Sequence, residues 1–454
     1  MPSWDPDKCI QCNRCSFVCP HTAFRPSLLT EEEIKEAPRK VKEDAREARG
    51  HKGKYFYMGF SPLDCTGCGN CINICPAKDK ALQMEALEAS CEKETAVWEG
   101  VKDRENEIDA DKVPTVKESQ FFTPYFEFSG ACAGCGETPY AKLVTQLFGD
   151  RMMISNSAGC TTVWGGSAPV VPYKKDKKGH GPAWGFSLFE DNGEYGLGMY
   201  LGYQAVRQEV KEKSEELKRE LEKENKTKNE LYKALCDWQE GFELGLGARE
   251  RAERLTDCLK KDSESKTAME LYQRRDYLIK RSNWVFGGDG WAYDIGYGGL
   301  DHVLSTGADI NIMVFDTEVY SNTGGQASKS TPLAAVAKFS AAGKRRKKKE
   351  LGMMAMQYGD VYVAQVAMGA DPNQTLKAIL EAESYPGPSL IIGYAPCINH
   401  GIKRGMSHTQ EQQKLAVEAG YWNLYRYDPR RKEEGKNPFV LDSGEPSGSF
   451  RDFL

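Results

Sequence analysis

Two matched cysteine runs lie near the start of the chain: CIQCNRCSFVCP at residues 9–20 and CTGCGNCINICP at residues 65–76. In each run two residues separate the first three cysteines from one another, and three residues separate the third from the fourth. A proline directly follows the fourth cysteine. In proteins with two [4Fe-4S] cubanes, three successive thiolates of such a run bind one cubane and the fourth binds the other. The runs therefore predict two iron-sulfur clusters that share their fourth ligands.

The spacing is that of the bacterial two-cluster ferredoxins, and it assigns each cysteine to a cluster. Cluster one takes Cys9, Cys12, Cys15 and Cys75. Cluster two takes Cys65, Cys68, Cys71 and Cys19. Tetrahedral zinc is the alternative, since four-cysteine sites also suit that ion, but a displaced fourth cysteine followed by proline favours the cubane pair.

Composition limits the class of protein. The chain has 454 residues, 40% of them hydrophobic, and a formal net charge of −5, with a mean hydropathy of −0.59. This balance excludes general nucleic-acid binding, and no apolar run is long enough for a membrane span. Fifteen cysteines without a signal peptide indicate metal or redox chemistry in a cytoplasmic protein, because cytosolic thiols are kept reduced.

The cysteine runs and a later glycine-rich, aromatic-rich region predict two domains. Residues 1–117 would form a small α+β two-[4Fe-4S] ferredoxin-like domain with a helical insert at about 22–62. Residues 118–454 would form an α/β domain with a charged helical insertion at about 206–280. Its thin apolar stripe, Val206, Val210, Leu217 and Leu221, favours a surface helical hairpin, with a partner-binding coiled coil as the alternative.

Strand, turn and helix alternate from Ser282 onward. Apolar strands at 283–286, 310–315, 361–366 and 389–394 alternate with helical stretches, which predicts a mainly parallel sheet with helices on both faces. Ligands of such sheets bind at the carboxyl ends of the strands. Asp289, Thr317 and Cys397 each follow a strand end.

Two of these strand ends predict a magnesium diphosphate site. Gly288-Asp289-Gly290 offers a carboxylate beside residues that let a phosphate approach the backbone, and DTEVYSNTGGQ follows the next strand at 316–326. Mg²⁺ prefers six oxygen ligands, few of them from protein and some from phosphate. The Gly-Asp-Gly motif alone is weak, and the pair of strand ends is what supports the site.

The chain as a whole resembles the pyruvate:ferredoxin (flavodoxin) oxidoreductases, which use thiamine diphosphate. The resemblance runs from WDPDKC at residues 4–9 to the last residues. It includes CAGCGET at 132–138, the stretch from Gly288 to Gly299, DTEVYSNTGGQ, and YAPC at 394–397. The carboxyl-terminal portion of that family has this combination: a ferredoxin-like domain followed by a thiamine diphosphate-binding α/β domain.

The resemblance implies roles for individual residues. It implies Mg²⁺ ligation by Asp289, the Thr317 hydroxyl and the Val319 carbonyl. It implies thiamine diphosphate contacts by Glu137, Cys160, Gly288, Asp289, Gly290, Trp291, Thr317, Glu318, Val319, Tyr320, Ser321 and Asn322. It implies that Asn322 faces the substrate as the catalytic polar side chain. It also implies a third [4Fe-4S] cluster on Cys132, Cys135, Cys160 and Cys397, which spacing alone does not show. Cys91, Cys236 and Cys258 are left without a cluster.

The implied activity is oxidative decarboxylation of pyruvate to acetyl-CoA and CO₂. Pyruvate and coenzyme A would be the substrates, and electrons would pass through three clusters to ferredoxin or flavodoxin. A related 2-oxoacid:ferredoxin oxidoreductase with another 2-oxo acid and an electron-transfer-only fragment are the alternatives. A non-redox thiamine decarboxylase would have no use for the ferredoxin cysteines.

The family's amino-terminal domains do not appear in this sequence. We therefore expect a truncated reading frame or a split-gene subunit that needs an amino-terminal partner portion and is a homodimer when complete. A basic run, Lys344 to Lys349, is expected to be a solvated loop. Docking of an acidic electron acceptor or contact with a coenzyme A phosphate are its alternatives.

Overall fold

A computed structural model describes residues 1–106, 108, 112–166, 171–262 and 265–453. The strands of these residues are β1 Pro2–Trp4, β2 Phe24–Leu29, β3 Arg46–Glu47, β4 Tyr55–Phe60, β5 Leu82–Met84, β6 Met152–Asn156, β7 Ala183–Phe186, β8 Ser282–Gly288, β9 Asn311–Asp316, β10 Val319–Tyr320, β11 Gln326–Ala327, β12 Tyr362–Val366, β13 Ser389–Tyr394, β14 Tyr425–Tyr427 and β15 Phe439–Leu441.

The α-helices of the same residues are α1 Arg14–Phe17, α2 Glu31–Glu36, α3 Arg39–Asp44, α4 Asn70–Ile74, α5 Leu87–Glu99, α6 Val116–Ser119, α7 Thr138–Phe148, α8 Cys160–Gly166, α9 Asn192–Lys223, α10 Glu230–Glu240, α11 Ala248–Lys261, α12 Lys266–Gln273, α13 Tyr297–Ser305, α14 Leu351–Met356, α15 Pro372–Ser384, α16 Thr409–Glu418, α17 Arg430–Glu433 and α18 Phe450–Phe453. A π-helical turn spans Gly290–Ile295, and short 3₁₀ turns lie at Gly149–Arg151, Arg275–Tyr277, Ile398–His400 and Met406–His408.

The larger part of the chain is organised on one eight-stranded sheet in the order β15-β14-β12-β13-β9-β8-β6-β7. The six strands from β12 to β7 run parallel, while β14 and β15 add an antiparallel edge. Because β6, β8, β9 and β13 are parallel, their carboxyl ends meet at the same edge of the sheet. This edge lies where the sequence predicts the cofactor residues.

Alternating side chains of the central strands fill two separate cores. Trp284 and Phe286 of β8 pack in one core with α7 and α15, whereas Val285 packs on the opposite face with α13 and α14. Both cores are dominated by buried aliphatic and aromatic side chains, which is typical of a parallel sheet covered on both faces. The predicted fold class of this part is confirmed.

The amino-terminal part is small and mixed. β1 pairs antiparallel with β5, and α1 and α4 each carry the third cysteine of a run. The predicted helical insert at about 22–62 differs in character: β2, β4 and β3 form an antiparallel sheet around the short helices α2 and α3. Strands β2 and β4 are six residues long and almost wholly buried, so they lack the regular alternation of apolar and polar residues that an exposed hairpin shows. The charged residues between them made the two strands hard to recognise in the sequence.

The helical insertion is larger than the predicted hairpin. It begins at Asn192 rather than near residue 206, because α9 extends back toward the sheet, and it contains α9, α10, α11 and α12. Val210, Leu217 and Leu221 of the predicted stripe are buried against the other three helices. Residues 263 and 264 of this predicted insertion lie outside the described residues.

The two parts are joined by buried hydrogen bonds. Asn70 of α4 donates to the Thr409 hydroxyl at 2.9 Å, and the Thr22 hydroxyl donates to the Phe126 carbonyl at 2.9 Å. Contacts of this kind hold the cysteine runs against the large sheet. Across the described ranges, no helix combines the length and apolar character that crossing a membrane requires.

Candidate functional site

The two cysteine runs adopt the same loop conformation. Gln11 and Asn13, two and four residues after the first cysteine, have φ of 58° and 59°, and Gly67 and Gly69 occupy the equivalent positions with 68° and 84°. Left-handed backbone is costly for residues other than glycine. Its occurrence at both Gln11 and Asn13 therefore indicates that the loop requires this conformation. The turns aim backbone N–H groups at sulfur: Gln11 donates to Cys9 Sγ and Gly67 to Cys65 Sγ, both at 3.4 Å.

The fourth cysteine of each run lies beside the other run. Burial raises the pKa of the Cys9 thiol, and the neighbouring thiols of Cys12 and Cys75 raise it further. For Cys71 the groups that raise the thiol pKa, after burial, are Cys19, Cys68 and Cys65. These neighbours are the partners that the spacing predicts for cluster one and cluster two. In the described residues, no three His, Cys, Asp or Glu side chains are grouped closely enough to hold a single metal ion.

A small cavity of about 20 Å³ lies between the runs. Its lining includes Cys19, Cys65, Cys68 and Cys71, together with Pro20 and His21. The structure thus provides space bordered by all four cysteines predicted for cluster two.

The four cysteines implied for a third cluster also come together, although they are distant in sequence. Cys135 Sγ accepts from the Glu137 N–H at 3.4 Å. The groups that raise the pKa of the Cys160 thiol, after burial, are Glu137, Cys135, Cys397 and Cys132. The loop between Cys132 and Cys135 faces the second run, because the backbone of Gly134 donates to the Cys68 thiol and lowers its pKa against the larger effect of burial.

The three atoms predicted to bind magnesium converge at the ends of β8 and β9. Thr317 Oγ1 lies 2.9 Å from Asp289 Oδ1 and 3.1 Å from the Val319 carbonyl oxygen. Neighbouring ligands of an octahedral Mg²⁺ with bonds of 2.0–2.1 Å are about 2.9 Å apart. Asp289 is buried, and burial, with Asp316 nearby, raises the pKa of its carboxyl. The donor set therefore suits Mg²⁺, which would supply the countercharge.

The remaining predicted thiamine diphosphate residues surround these atoms. Trp291 is fully buried, and the Tyr320 hydroxyl donates to Asp294 Oδ2 at 2.9 Å. The Ser321 hydroxyl donates to Thr317 Oγ1 at 2.7 Å. Asn322 is exposed in the turn between β10 and β11, so its amide is free to face a substrate at the mouth of the site.

Glu137 directly precedes α7 and is buried. Its carboxylate accepts one side-chain hydrogen bond, from Trp164 Nε1 at 2.6 Å. Burial raises the pKa of Glu137 to about 7, against a lowering by the Trp164 N–H. The acid therefore exchanges its proton near neutral pH beside the thiols of Cys135 and Cys160.

The basic run differs from the expected solvated loop. Lys344 donates to the Ser328 carbonyl at 2.8 Å, Lys349 donates to the Tyr293 carbonyl at 3.0 Å, and Lys348 pairs with two acids. Only Arg345, Arg346 and Lys347 are exposed in the run. The prediction of a solvated loop is wrong for the three lysines that turn inward, because their ammonium groups bond to carbonyl and carboxylate oxygens of neighbouring segments.

Lys348 neutralises the acids that flank Thr317. Its Nζ lies 2.8 Å from Asp316 Oδ2 and 3.2 Å from Glu318 Oε1. Burial would raise the pKa of Glu318, but Lys348, His400 and Tyr421 hold it at about 2. Sequence reasoning missed this pair. The opposite charges of DTE at 316–318 and of the basic run are the signal that could have indicated this pair.

Asn399 is a second residue that the sequence did not indicate. Its Nδ2 donates to the Ser321 carbonyl at 3.1 Å and lies 3.7 Å from Cys397 Sγ. One amide therefore bridges the turn that carries Asn322 and a cysteine implied for the third cluster. The Cys397 backbone N–H donates to His400 Nδ1 at 2.8 Å, which fixes the same loop.

Two stretches match families of known domains. Residues 8–78 match the 4Fe-4S dicluster domain, and residues 268–392 match the thiamine pyrophosphate enzyme C-terminal TPP binding domain. These matches support the prediction of iron-sulfur clusters and thiamine diphosphate.

Curated relatives match along the whole chain. Identity is 57% over 455 residues to the pyruvate-flavodoxin oxidoreductase of Klebsiella pneumoniae and 53% over 468 residues to the pyruvate:ferredoxin oxidoreductase of Moorella thermoacetica. Both alignments cover 100% of this chain and 38% or 39% of the relative. The resemblance to the pyruvate:ferredoxin (flavodoxin) oxidoreductases is confirmed. The chain spans about two fifths of the length of these relatives.

Among solved structures, a 2-oxoglutarate:ferredoxin oxidoreductase from Magnetococcus marinus aligns with a TM-score of 0.34 and 14% identity. The alignment covers 60% of this chain and 65% of that one. A score this low supports no inference.

Proposed function

We propose that this chain, a match to a portion of the pyruvate:ferredoxin (flavodoxin) oxidoreductases, is the cofactor-bearing part of an enzyme that oxidatively decarboxylates pyruvate. The products are acetyl-CoA and CO₂, and the electrons leave to ferredoxin or flavodoxin. The observation that carries the proposal is the convergence of Asp289, Thr317 and Val319 at one edge of the sheet. The four cysteines implied for the third cluster, Cys132, Cys135, Cys160 and Cys397, lie at the same edge.

Thiamine diphosphate, when bound, supplies a nucleophilic ring carbon that adds to the 2-oxo carbon and accepts the electron pair left by CO₂. The chain's own residues hold it. Gly288, Gly290 and the backbone from Thr317 to Asn322 receive the diphosphate, and Asp289, Thr317 and Val319 hold Mg²⁺ against it. Trp291 is buried beside these glycines, and the Tyr320 ring lies against Gly290.

Glu137 and Cys160 lie toward the ring end of the cofactor. The low-dielectric position of Glu137 favours contact with a cationic or hydrogen-bonding part of the ring rather than with phosphate. Asn322 reaches the substrate as the catalytic polar side chain, and its amide orients the 2-oxo acid. Asn399 positions the turn that carries Asn322.

When bound, three [4Fe-4S] clusters would supply one-electron carriers. Cys132, Cys135, Cys160 and Cys397 would hold the cluster next to the thiamine site, and the two ferredoxin-type sets would hold the others. The contact of Gly134 with Cys68 supports an order in which the third cluster adjoins cluster two and cluster one is farther away. Short steps between clusters are what electron transfer through a protein needs.

The relatives are longer than this chain, and we assign the contacts to coenzyme A and to the substrate carboxylate to the family's amino-terminal portion. We place the boundary between the two domains at residues 117 and 118. We further propose that the complete enzyme is a cytoplasmic homodimer and that it prefers pyruvate to other 2-oxo acids.

Cofactor analysis tests the proposal. Anaerobically purified chain should contain about twelve iron atoms from three cubanes and bind thiamine diphosphate with Mg²⁺. Pyruvate-dependent reduction of ferredoxin should require added amino-terminal portion. About eight iron atoms and no thiamine binding would reduce the chain to an electron carrier, and full-rate turnover by the chain alone would contradict the need for a partner.

A further inference from the structure

Lys142 is a buried cation without an acidic partner. It lies in the first half of α7, and only 1% of its surface is exposed. Its Nζ donates to the Ser16 carbonyl and to Gln120 Oε1 at 3.1 Å, both neutral acceptors. Within the described ranges, no carboxylate lies in ion-pair distance of it. Burying a lysine in this way costs several kcal/mol unless a countercharge is close.

Its surroundings place this charge beside the first cysteine run. Ser16 lies in α1, between Cys15 and Cys19, and its hydroxyl donates to the same Gln120 oxygen at 3.0 Å. Burial lowers the pKa of Lys142 to about 8, and the sulfur groups of Cys19 and Cys15, when ionised as thiolates, raise it against that effect. Cys15 belongs to the predicted cluster one and Cys19 to cluster two, so a single ammonium faces both.

The helix that carries Lys142 also connects this point to the third cysteine set. α7 starts directly after Glu137, at the loop of Cys132 and Cys135. Phe17 of α1 and Leu143 of α7 pack in the same core, so the two helices are held together by apolar contact. The position of the ammonium is therefore fixed by rigid elements and not by a mobile side chain at the surface.

We propose that Lys142 is a positioning residue for electron transfer: it is the internal countercharge of both ferredoxin-type clusters and raises their reduction potentials. The proposal rests on the proposed function, because it needs the clusters. A cubane with four thiolate ligands is anionic, and each electron that it accepts adds negative charge. A fixed cation in a low-dielectric interior stabilises the reduced form more than the oxidised form, and net charge is a known determinant of cluster potential.

This role has a consequence for how the two parts work together. The ammonium comes from the large domain, whereas the cysteines it faces come from the ferredoxin-like part. The clusters therefore reach their working potential only when α1 is docked against α7. A ferredoxin-like part that detached would hold its electrons less favourably.

The test compares Lys142→Met with Gln120→Leu in the full chain. Methionine keeps the length and packing of the side chain but removes the charge, whereas Gln120→Leu removes an acceptor of the same ammonium and leaves the charge in place. Potentiometric titration followed by EPR of the reduced clusters gives the midpoints. We expect Lys142→Met to shift the midpoints of both ferredoxin-type clusters to lower potential, the third cluster to shift less, and Gln120→Leu to shift none comparably.

Iron content separates the two proposals. Wild-type chain without the ferredoxin-type clusters would sink the proposed function, whereas full iron in Lys142→Met with unchanged midpoints would overturn the countercharge alone. An equal shift in Gln120→Leu would also overturn it, by assigning the effect to packing. If the methionine variant loses iron, Lys142→Gln and Lys142→Arg decide: retention of clusters and midpoints only in the arginine variant supports a charge requirement, and loss of iron in both contradicts it.

Discussion

The two cofactor regions of this chain balance their buried charges differently. Beneath the predicted diphosphate site, Lys348 is paired with Asp316 and Glu318, so the protein neutralises most of the charge itself. Beside the first cysteine run, the hydrogen-bond partners that the described residues offer Lys142 are neutral. The first arrangement can form before its cofactor is bound, whereas the second is complete only when anionic clusters are present. A buried charge without an oppositely charged partner thus indicates the sign of the charge of the cofactor that binds beside it.

Glu137 shows the same rule with the opposite sign. It is a buried carboxylate whose side-chain partner is the Trp164 N–H, and we propose that it faces the ring of bound thiamine diphosphate. Glu137 and Asp289 are thus two buried acids of the large domain whose countercharge would come from a cofactor, whereas the protein itself neutralises the acids paired with Lys348.

Removal of iron should have the largest effect. We expect chelation under anaerobic conditions to abolish amide protection across α1 and α4, because thiolate-to-cluster bonds and the countercharge of Lys142 are lost together. Strands β8, β9 and β13 should keep their protection. Hydrogen exchange read by mass spectrometry measures both regions in one sample, and protection of the cysteine loops that survives chelation would break the comparison.

Lys348→Met should be next in size. Removing Lys348 leaves Asp316 without its ion-pair partner and Glu318 with His400 and Tyr421, and the expected destabilisation is roughly 3–5 kcal/mol. The measurement is the urea midpoint of the chain without thiamine diphosphate. Lys347→Met is the matched control, because Lys347 is exposed in the same run and its loss should change stability by less than about 0.5 kcal/mol. Equal midpoints for the two variants would contradict the pairing.

The pH dependence of stability should reflect Glu137. Its pKa is about 7 in the folded chain against an ordinary 4.5, so the folded state holds this proton more tightly than the unfolded state does. The associated stabilisation is complete below about pH 4.5, falls as the pH rises toward 7 and is then lost. It amounts to at most about 3 kcal/mol.

Glu137→Gln should flatten that part of the stability profile, measured as the thermal midpoint of chain free of thiamine diphosphate between pH 5 and 8. Glu318 serves as the contrast, because its pKa of about 2 gives stabilisation that is present above pH 4.5 and lost as the pH falls toward 2. A wild-type profile with no slope between pH 5 and 7 would contradict the assignment to Glu137.

Asp289→Asn should have the smallest effect on the fold and a selective effect on binding. Burial already raises the pKa of Asp289, so a neutral amide should cost little stability, while the loss of an anionic oxygen should weaken binding of thiamine diphosphate with Mg²⁺ at least about tenfold, or about 1.4 kcal/mol. Isothermal titration measures the affinity. Asp301→Asn, which lies outside the site and contacts Tyr358, is the control, and a similar loss in both variants would argue against direct ligation.

Local patterns could be read from the sequence more fully than distant contacts. The cysteine runs and the strand ends at Asp289 and Thr317 follow from short spacing and from the parallel topology. Lys142 contacts a residue 126 positions away, and no periodicity marks it as different from other helical lysines. Its charge partner is a cofactor rather than a residue, so no complementary acid exists in the sequence to indicate the contact.

The basic run and the insert show a second limit. Charge runs are usually solvated, and only the packed structure reveals that Lys344, Lys348 and Lys349 turn inward. In the insert, the charged stretch at 31–54 concealed the pairing of β2 with β4, because their register is fixed by burial on both faces and not by an alternating pattern.

The position of Cys397 after β13 sets a timetable for biosynthesis. All eight ferredoxin-type cysteines have been made once residue 75 is added, but the set that includes Cys397 is completed 322 residues later (397 minus 75). At about 5–20 residues per second this is a delay of roughly 16 to 64 seconds. During that interval Cys132, Cys135 and Cys160 lack their last companion on the nascent chain, so a third cluster held by all four cysteines would be the last to be completed.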